Sequence, residues 1–370
     1  MKITNQHTTY SNQTPKKVPF KGWAAAPIKE IYLQPNNDNR FMPLIKELNK
    51  KCKRYFKIIV QLTDGLVAEP KKITLFKNGN IKGGTLCCWS QDNKIFFENN
   101  ELGVFYDSHD PKRARLLAKQ LQVKAKTMNL ESQGGNYFLG KKTNGENYAL
   151  VGADSLDGCE GQHIAKSLNV KTENMYAISQ PNFHIDMVVR PLTYPYVLVG
   201  DPKLTNKLIN DIRTKKGLPL LEKHHSNVVK GDEHYNYSST AKTVKELKAH
   251  GFKPIRVPGL LSDEMGLNFM NAIVHQKPDG KLIYITNKTH LGENIGIDFE
   301  AIFEKDLKSK FPAIEKVIYI DGEGLIQESL VEYEGGTHCM SCEKPDFEKW
   351  NNLLKTPKLA FPTANRAKRL

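Results

Sequence analysis

Short apolar runs rich in β-branched residues alternate along the chain with longer stretches of helical character. The runs that predict strands are 57–62, 72–76, 95–97, 148–151, 183–189, 196–199, 282–286 and 317–320. The predicted helices are 110–128, 203–216, 241–250 and 298–310. Asp110-Pro111 supplies an N-cap and a first-turn proline for one helix, and glycines at 217 and 251 end two others. Repeated β-rich units with about one helix each are typical of the α/β class.

Positive charge is concentrated at the two ends of the chain. The formal net charge is +14, yet no acidic residue precedes Glu30 and none follows Trp350. We therefore predict a basic arm over 1–29, a single folded domain over 30–350 and a basic tail over 351–370. Basic ends suit either a solvated surface or contact with an acidic protein partner. No nucleic-acid-binding motif accompanies them.

Composition argues against a membrane protein and against a secreted disulfide scaffold. Hydrophobic residues make up 39% of the chain, and no run approaches the roughly 18–20 apolar residues of a membrane span. The first twenty residues lack the apolar core of a secretory signal. Six cysteines among 370 residues favour reduced thiols, so we expect a cytoplasmic protein.

Two polar residues inside an apolar run are the first candidates for chemistry. His184 and Asp186 lie two positions apart in the predicted strand 183–189, so both side chains should project from one face. Cys339, in a glycine-loosened segment, would add a thiol to that face. A nucleophile, a proton carrier and an anion are the groups needed to attack a cationic planar carbon.

Structural alternatives exist for each candidate. His184 could be a buried core histidine, and Cys339 with Cys342 forms a CxxC pair that suits a redox couple or half a zinc site. No second CxxC is present, which disfavours a metal site. His338 is predicted to be a packing or loop residue. The pairs His224-His225 and Cys159 with His163 are interpreted as surface positions, because nothing completes a site around them.

Several short motifs follow one another along residues 57–345. They are Trp89-Ser90-Gln91-Asp92, Gly134-Gly135-Asn136, Phe183-His184-Ile185-Asp186, Asn268-Phe269-Met270-Asn271, Phe311-Pro312 and the segment 335–339 that ends in His338-Cys339. In this order they resemble the guanidino-group-modifying (pentein) superfamily, in particular peptidylarginine deiminases and agmatine deiminases. The resemblance implies a five-bladed pseudo-fivefold α/β propeller, with residues 30–350 as a single catalytic domain.

The resemblance also implies roles for these residues. Asp92 and Asp186 would hold a guanidinium group through paired hydrogen bonds. Cys339 would attack its carbon, and His184 would move the protons. Substrate-binding residues would be Asp92 and Asp186, with Trp89, Asn136 and Asn271 beside them. No metal or organic cofactor is implied.

The substrate is less firmly indicated. Gln133 stands where several small-molecule members have an acid before the glycine turn, with Glu131 two residues earlier, which leaves open the group that orients His184. The Gln91-Asp92 pair and the basic ends favour arginine within a protein or peptide. The alternatives are an agmatine or free-arginine deiminase, an amidinotransferase, and a non-catalytic binding module on the same fold.

Overall fold

The computed structural model describes residues 24–34, 41–62, 65–70, 90, 94–105, 111–128, 130, 134–156, 161–180, 184–220, 240–260, 267–292, 297–332 and 335–355. The strands in these ranges are β1 Ile28–Leu33, β2 Lys57–Gln61, β3 Leu66–Val67, β4 Lys94–Phe96, β5 Glu101–Phe105, β6 Lys124–Met128, β7 Tyr137–Lys141, β8 Asn147–Gly152, β9 Met175–Ile178, β10 Val189–Pro191, β11 Tyr196–Gly200, β12 Lys253–Val257, β13 Ile273–Gln276, β14 Leu282–Asn287, β15 Ile314–Ile320 and β16 Ser341–Pro345. The helices are α1 Met42–Cys52, α2 Pro111–Gln120, α3 Gly161–Ser167, α4 Pro202–Lys215, α5 Thr240–Ala249, α6 Phe299–Lys310, α7 Leu325–Glu332 and α8 Phe347–Lys355.

These strands form five small sheets that share one plan. In each sheet a central strand pairs antiparallel with one neighbour and parallel with the other. At least one helix lies between the two parallel strands in the sequence, as a parallel connection requires. The sheet orders are β16-β1-β2-β3, β4-β5-β6, β7-β8-β9, β10-β11-β12 and β13-β14-β15. This repetition confirms the α/β class and the five-bladed architecture predicted from the motifs.

Segments distant in the sequence complete the first blade. β1 pairs in parallel with β2 and antiparallel with β16, so that Tyr32 lies opposite Cys342. Ile31 of β1 is fully buried among apolar side chains of α1, β2, β14 and β15. The pairing therefore fixes the segment that ends at Cys339, because β16 begins two residues later.

The helix predicted over 110–128 is too long. In the structure α2 ends at Gln120, and Gln122 adopts a positive φ of 53°. The chain then enters β6, which pairs in parallel with β5. This blade needs a third strand, and the tertiary pairing overrides the local helix propensity of a short Lys- and Ala-containing run.

The strand predicted over 183–189 is also wrong for its central part. His184 has extended backbone (φ −126°, ψ 142°), but residues Ile185–Met187 form a 3-10 turn. β10 begins only at Val189. The predicted strand 72–76 lies outside the described residues.

The boundaries of the basic arm and tail need correction. Ala24 and Ala26 are buried, and the backbone N–H of Ala24 donates to the Leu139 carbonyl at 2.7 Å. β1 starts at Ile28, and α8 continues to Lys355. The boundaries were drawn from the lack of acidic residues at the two ends, which does not show that apolar residues there pack against the domain. The arm and the tail therefore remain predictions only for 1–23 and 356–370. Within the part of the chain that the structure describes, no helix is long and apolar enough to cross a membrane.

Candidate active site

Three of the predicted site residues come together in the structure. One ligating atom each of His184, Asp186 and Cys339 lies within 4.8 Å of the other two, and all three residues are buried. His184 and Asp186 come from the start of a 3-10 turn, whereas Cys339 comes from the loop before β16. A thiol, an imidazole and a carboxylate thus share one small space in the interior.

Asp186 has one oxygen occupied and one oxygen available. Its Oδ2 accepts hydrogen bonds from Asn271 Nδ2 at 2.9 Å and His338 Nδ1 at 2.8 Å, and it lies 3.4 Å from Cys339 Sγ. Its Oδ1 is buried without a hydrogen-bond partner among the described residues. A buried carboxylate oxygen is costly to leave unbonded, so Oδ1 is the natural acceptor for a donor brought by a ligand.

Asn271 links the loop of Cys339 to the Asp186 carboxylate. Its Oδ1 accepts from the backbone N–H groups of His338 and Cys339, at 2.9 and 3.3 Å. Two backbone donors on Oδ1 fix the orientation of the amide, because only an oxygen can accept them. Nδ2 must then face Cys339 Sγ, at 3.0 Å, and Asp186. Asn271 therefore lies beside the nucleophile and holds its loop, and contact with a substrate stays a prediction.

Two more asparagines support the same loop. Asn287 Oδ1 accepts from the backbone N–H of Thr337 at 2.8 Å, and Asn268 Oδ1 accepts from that of Asn271 at 3.0 Å. The backbone of Gly336 lies so close to these asparagines that a Cβ on it would be 2.8 Å from Asn271 Oδ1. Only glycine fits there without displacing an asparagine.

The Gly134–Asn136 turn packs against His184. Asn136 Oδ1 accepts from the backbone N–H of Ile185 at 3.2 Å, and a Cβ on Gly135 would come within 2.4 Å of the His184 ring. Burial lowers the pKa of His184; the Asp186 carboxylate opposes that shift and His338 adds to it. His184 is thus held as a neutral imidazole. Asn136 fixes the backbone next to His184 through the Ile185 N–H. Contact between Asn136 and a substrate stays a prediction.

His338 is the residue that sequence reasoning missed. It was predicted to be a packing or loop residue, yet its Nδ1 contacts the Asp186 carboxylate, and its ring stacks on Phe138 with centroids 5.5 Å apart. The available signal was its position beside Cys339, because adjacent residues of a tight loop can both reach one carboxylate.

The cluster of His184, Asp186 and Cys339 has the residue types of a zinc site. However, Asn271 Nδ2 directs its hydrogens at both Cys339 Sγ and Asp186 Oδ2, which are the atoms a metal would need. The second thiol of the CxxC pair, Cys342, contacts the Lys94 carbonyl at 3.7 Å instead. The geometry therefore fits a resident metal poorly.

Other predicted positions lie outside the part of the chain that the structure describes. These are Asp92, Trp89, Glu131 and Gln133. The second carboxylate of the guanidinium clamp and the group that orients His184 therefore stay predictions.

No protein-family model matches the chain, and no curated protein sequence matches it. Solved structures do match. The agmatine deiminase of C. jejuni is 16% identical, with a TM-score of 0.55 over 90% of this chain and 98% of that one. A cysteine-to-serine variant of the C. jejuni enzyme with substrate bound is 16% identical, with a TM-score of 0.53 over the same shares of both chains. A protein provisionally named a peptidyl-arginine deiminase is 17% identical, with a TM-score of 0.53 over 88% and 99% of the two chains. The chain therefore has the five-bladed pentein fold of the guanidino-group-modifying enzymes, as its sequence motifs predict.

Proposed function

We propose that this protein is a deiminase, which hydrolyses a guanidino group to a ureido group and ammonia. The observation that carries this proposal is the convergence of a thiol, a neutral imidazole and a carboxylate whose Oδ1 still has room for a donor. The structural similarity to agmatine deiminase supports the reaction class, since that enzyme was captured with substrate after its cysteine was replaced by serine.

Binding would begin at the carboxylate. The guanidinium group donates an N–H to Asp186 Oδ1, and Asp92 is proposed as the second carboxylate on the other edge. Both charges are needed because a guanidinium keeps its positive charge at any physiological pH. The clamp places the central carbon near Cys339 Sγ, which lies 3.4 Å from the other Asp186 oxygen.

The first chemical step requires a thiolate. The Asp186 carboxylate opposes ionisation of Cys339 in the free enzyme, whereas the Asn271 N–H at 3.0 Å favours it. The bound guanidinium offsets the charge of the Asp186 carboxylate, so that formation of the Cys339 thiolate becomes favourable. The thiol proton passes to neutral His184, and the thiolate adds to the guanidinium carbon.

The second step uses the same proton. His184, now an imidazolium, protonates the departing nitrogen, and ammonia leaves behind a thiouronium bound to Cys339. Water then adds to this carbon while His184 accepts its proton. Collapse expels the Cys339 thiolate and yields the ureido product. His184 returns its proton to the thiolate, and the proton released from the hydroxyl converts ammonia to ammonium.

Within this class we propose arginine in a protein or peptide as the substrate. The support is in the sequence: the Gln91-Asp92 pair, and basic ends that suit an acidic macromolecule. Agmatine or free arginine is the competing substrate. An amidinotransferase would share the nucleophile and pass the amidino group to an amine instead of water. A non-catalytic binding module would need only the carboxylates, and the buried thiol beside His184 argues against it.

A ureido assay on agmatine, free arginine and a blocked arginine peptide tests the proposal. We expect the peptide to give the highest kcat/KM, Cys339→Ser to abolish turnover and Cys342→Ser to retain it. Iodoacetamide should inactivate the wild-type enzyme. A preference for agmatine beyond about a hundredfold, roughly 2.7 kcal/mol, would contradict the peptide assignment. Amidino transfer to an added amine without ureido product would indicate the transferase, and no reaction with any guanidine would reject the deiminase.

A further inference from the structure

A line of buried charged groups leads from the molecular interior to Asp186. Arg190 Nη2 lies 3.3 Å from Glu343 Oε1, and the same oxygen lies 3.8 Å from His338 Nε2. His338 Nδ1 in turn lies 2.8 Å from Asp186 Oδ2. The side chains are 0–4% exposed. Burying four ionisable groups is costly unless each is paired, so their arrangement calls for an explanation beyond packing.

The geometry favours a positive charge on His338. Both of its ring nitrogens face carboxylate oxygens, and a neutral imidazole would turn a lone pair towards one of them. With His338 as an imidazolium, the four groups alternate in sign and their charges cancel. Phe138 supports both cations: its ring stacks on His338, and the Arg190 guanidinium lies 5.1 Å from its centroid.

We propose that His338, an imidazolium stabilised by the Glu343 and Asp186 carboxylates, is the positioning residue for Asp186, while Arg190 pairs with Glu343. This inference rests on the proposed function for its catalytic meaning. His338 binds Asp186 Oδ2, so that Oδ1 faces the substrate. It also offsets the negative potential of Asp186 at Cys339 Sγ, which makes the thiolate easier to form.

The elements packed around His338 contribute these titratable or charged groups in the described part of the chain. They are Asp186 and His184 from the 3-10 turn, Arg190 from β10, Cys339 from the loop and Glu343 from β16. Two carboxylates and one guanidinium therefore determine whether His338 is charged, while the thiol and His184 respond to that charge. The charge of His338 lowers the pKa of His184, so both reacting groups report on it.

The test compares charge-removing and charge-keeping variants. His338→Asn retains an N–H donor where Nδ1 stood but removes the charge, and Glu343→Gln removes the carboxylate that holds it. We expect each to slow iodoacetamide alkylation of Cys339 at neutral pH by about tenfold, the effect of one pKa unit. The alkylation midpoint should move to higher pH, and KM should rise more than kcat falls. Glu343→Asp should restore most of the wild-type behaviour.

A structural control separates positioning from stability. Glu246 accepts hydrogen bonds from the Ser179 backbone N–H and hydroxyl, at 2.7 and 2.8 Å, and is not a member of the charged line. Glu246→Gln should lower the melting temperature without moving the alkylation profile. If His338→Asn and Glu343→Gln behave like Glu246→Gln, with unchanged alkylation and KM, the inference is overturned. Should His338→Asn fail to fold, Glu343→Gln carries the same comparison.

Alkylation needs no substrate, so this test is independent of the deiminase assignment. A shifted alkylation profile in a protein that turns over no guanidine would support the charged line and reject only the proposed reaction. An unshifted profile in an active deiminase would reject the charged line and leave the reaction standing.

Discussion

At the scale of single residues, amides and not charges hold the loop of Cys339 in place. Asn271, Asn287 and Asn268 bind backbone groups of the loop or of one another, and all three are buried. An amide offers a donor and an acceptor without bringing net charge into the interior. The loop can therefore be fixed without disturbing the balance of charge between Asp186 and Cys339.

Replacing Asn271 by alanine should cost both stability and thiol reactivity. The variant leaves the His338 and Cys339 backbone donors without their acceptor, a loss of about 1–3 kcal/mol in the free energy of unfolding. It also removes the N–H that favours the Cys339 thiolate. Urea unfolding and iodoacetamide alkylation measure the two effects.

The matched control is Asn287→Ala, which releases Thr337 but leaves Cys339 Sγ and Asp186 untouched. It should lower stability by a similar amount with a smaller change in alkylation. Equal changes in alkylation for both variants would show that Asn271 acts only through loop packing.

The sequence predicted which side chains come together better than the local geometry that brings them there. His184 and Asp186 do lie near Cys339, but they are placed there by a 3-10 turn and not by a strand. Residues two apart in sequence can approach the same site from a strand or from a 3-10 turn, so the spacing alone could not distinguish the two conformations. His338 was missed because its one sequence signal, the position beside Cys339, does not reveal the contact with Asp186.

At the scale of elements, one histidine joins two blades. His275 of β13 accepts the backbone N–H of Ile28 through Nδ1 at 3.1 Å, at the start of β1. Acceptance at Nδ1 requires that this nitrogen carry no proton. Burial, followed by the charges of Lys349 and Lys277, lowers the pKa of His275 to about 4. The contact is therefore stable only while His275 is neutral.

Stability should fall with acid through His275. Its pKa is near 6.5 in the unfolded chain and about 4 in the folded one. The unfolded state alone binds the proton between these values, so the contribution of His275 is complete above about pH 6.5 and is lost as pH falls towards 4. The loss is about 3 kcal/mol at most. Urea unfolding at about pH 7 and pH 4.5 measures it.

His275→Gln provides the comparison, because the glutamine oxygen accepts the Ile28 N–H and does not titrate. Its free energy of unfolding should decrease less with acid than that of the wild type, by about 2 kcal/mol at pH 4.5. The surface variant His163→Gln should follow the wild type. Parallel pH curves for His275→Gln and the wild type would show that other groups cause the acid loss.

Elements with strong local signals were predicted well, and those defined by pairing were not. α6 begins after an N-cap at Asp298, whose side chain accepts the Ala301 N–H, and it ends at Lys310 as the pattern predicts. β6 was assigned to a helix because its Lys- and Ala-containing run directly follows α2 and lacks a local turn signal, whereas its strand conformation depends on pairing with β5. β1 was not predicted either, and its first two residues fell inside the predicted arm, because its partners β2 and β16 are distant in the sequence.

At the scale of the molecule, segments more than 300 residues apart in sequence meet in one blade. β16 lies beside β1, and the nucleophile loop immediately precedes β16. The order of the motifs implied the five-bladed ring, but no local pattern could show that β1 and β16 pair. The position of Cys339 thus depends on a contact of very long sequence range.

Weakening β1 should therefore loosen the loop that carries Cys339 before the rest of the molecule unfolds. Ile31→Ala removes a fully buried side chain from β1, at a cost of about 2–5 kcal/mol. Ile164→Ala in α3, also fully buried but in a separate apolar cluster, is the matched control. Native-state hydrogen exchange of the amides of residues 341–344 measures local opening. At equal loss of global stability, amide exchange in β16 should accelerate more in Ile31→Ala than in Ile164→Ala. Under mild denaturant, iodoacetamide should also alkylate Cys339 faster in Ile31→Ala, because local opening exposes the thiol. Equal acceleration in both variants would mean that the ring opens only by global unfolding, with the nucleophile as firmly held as the core.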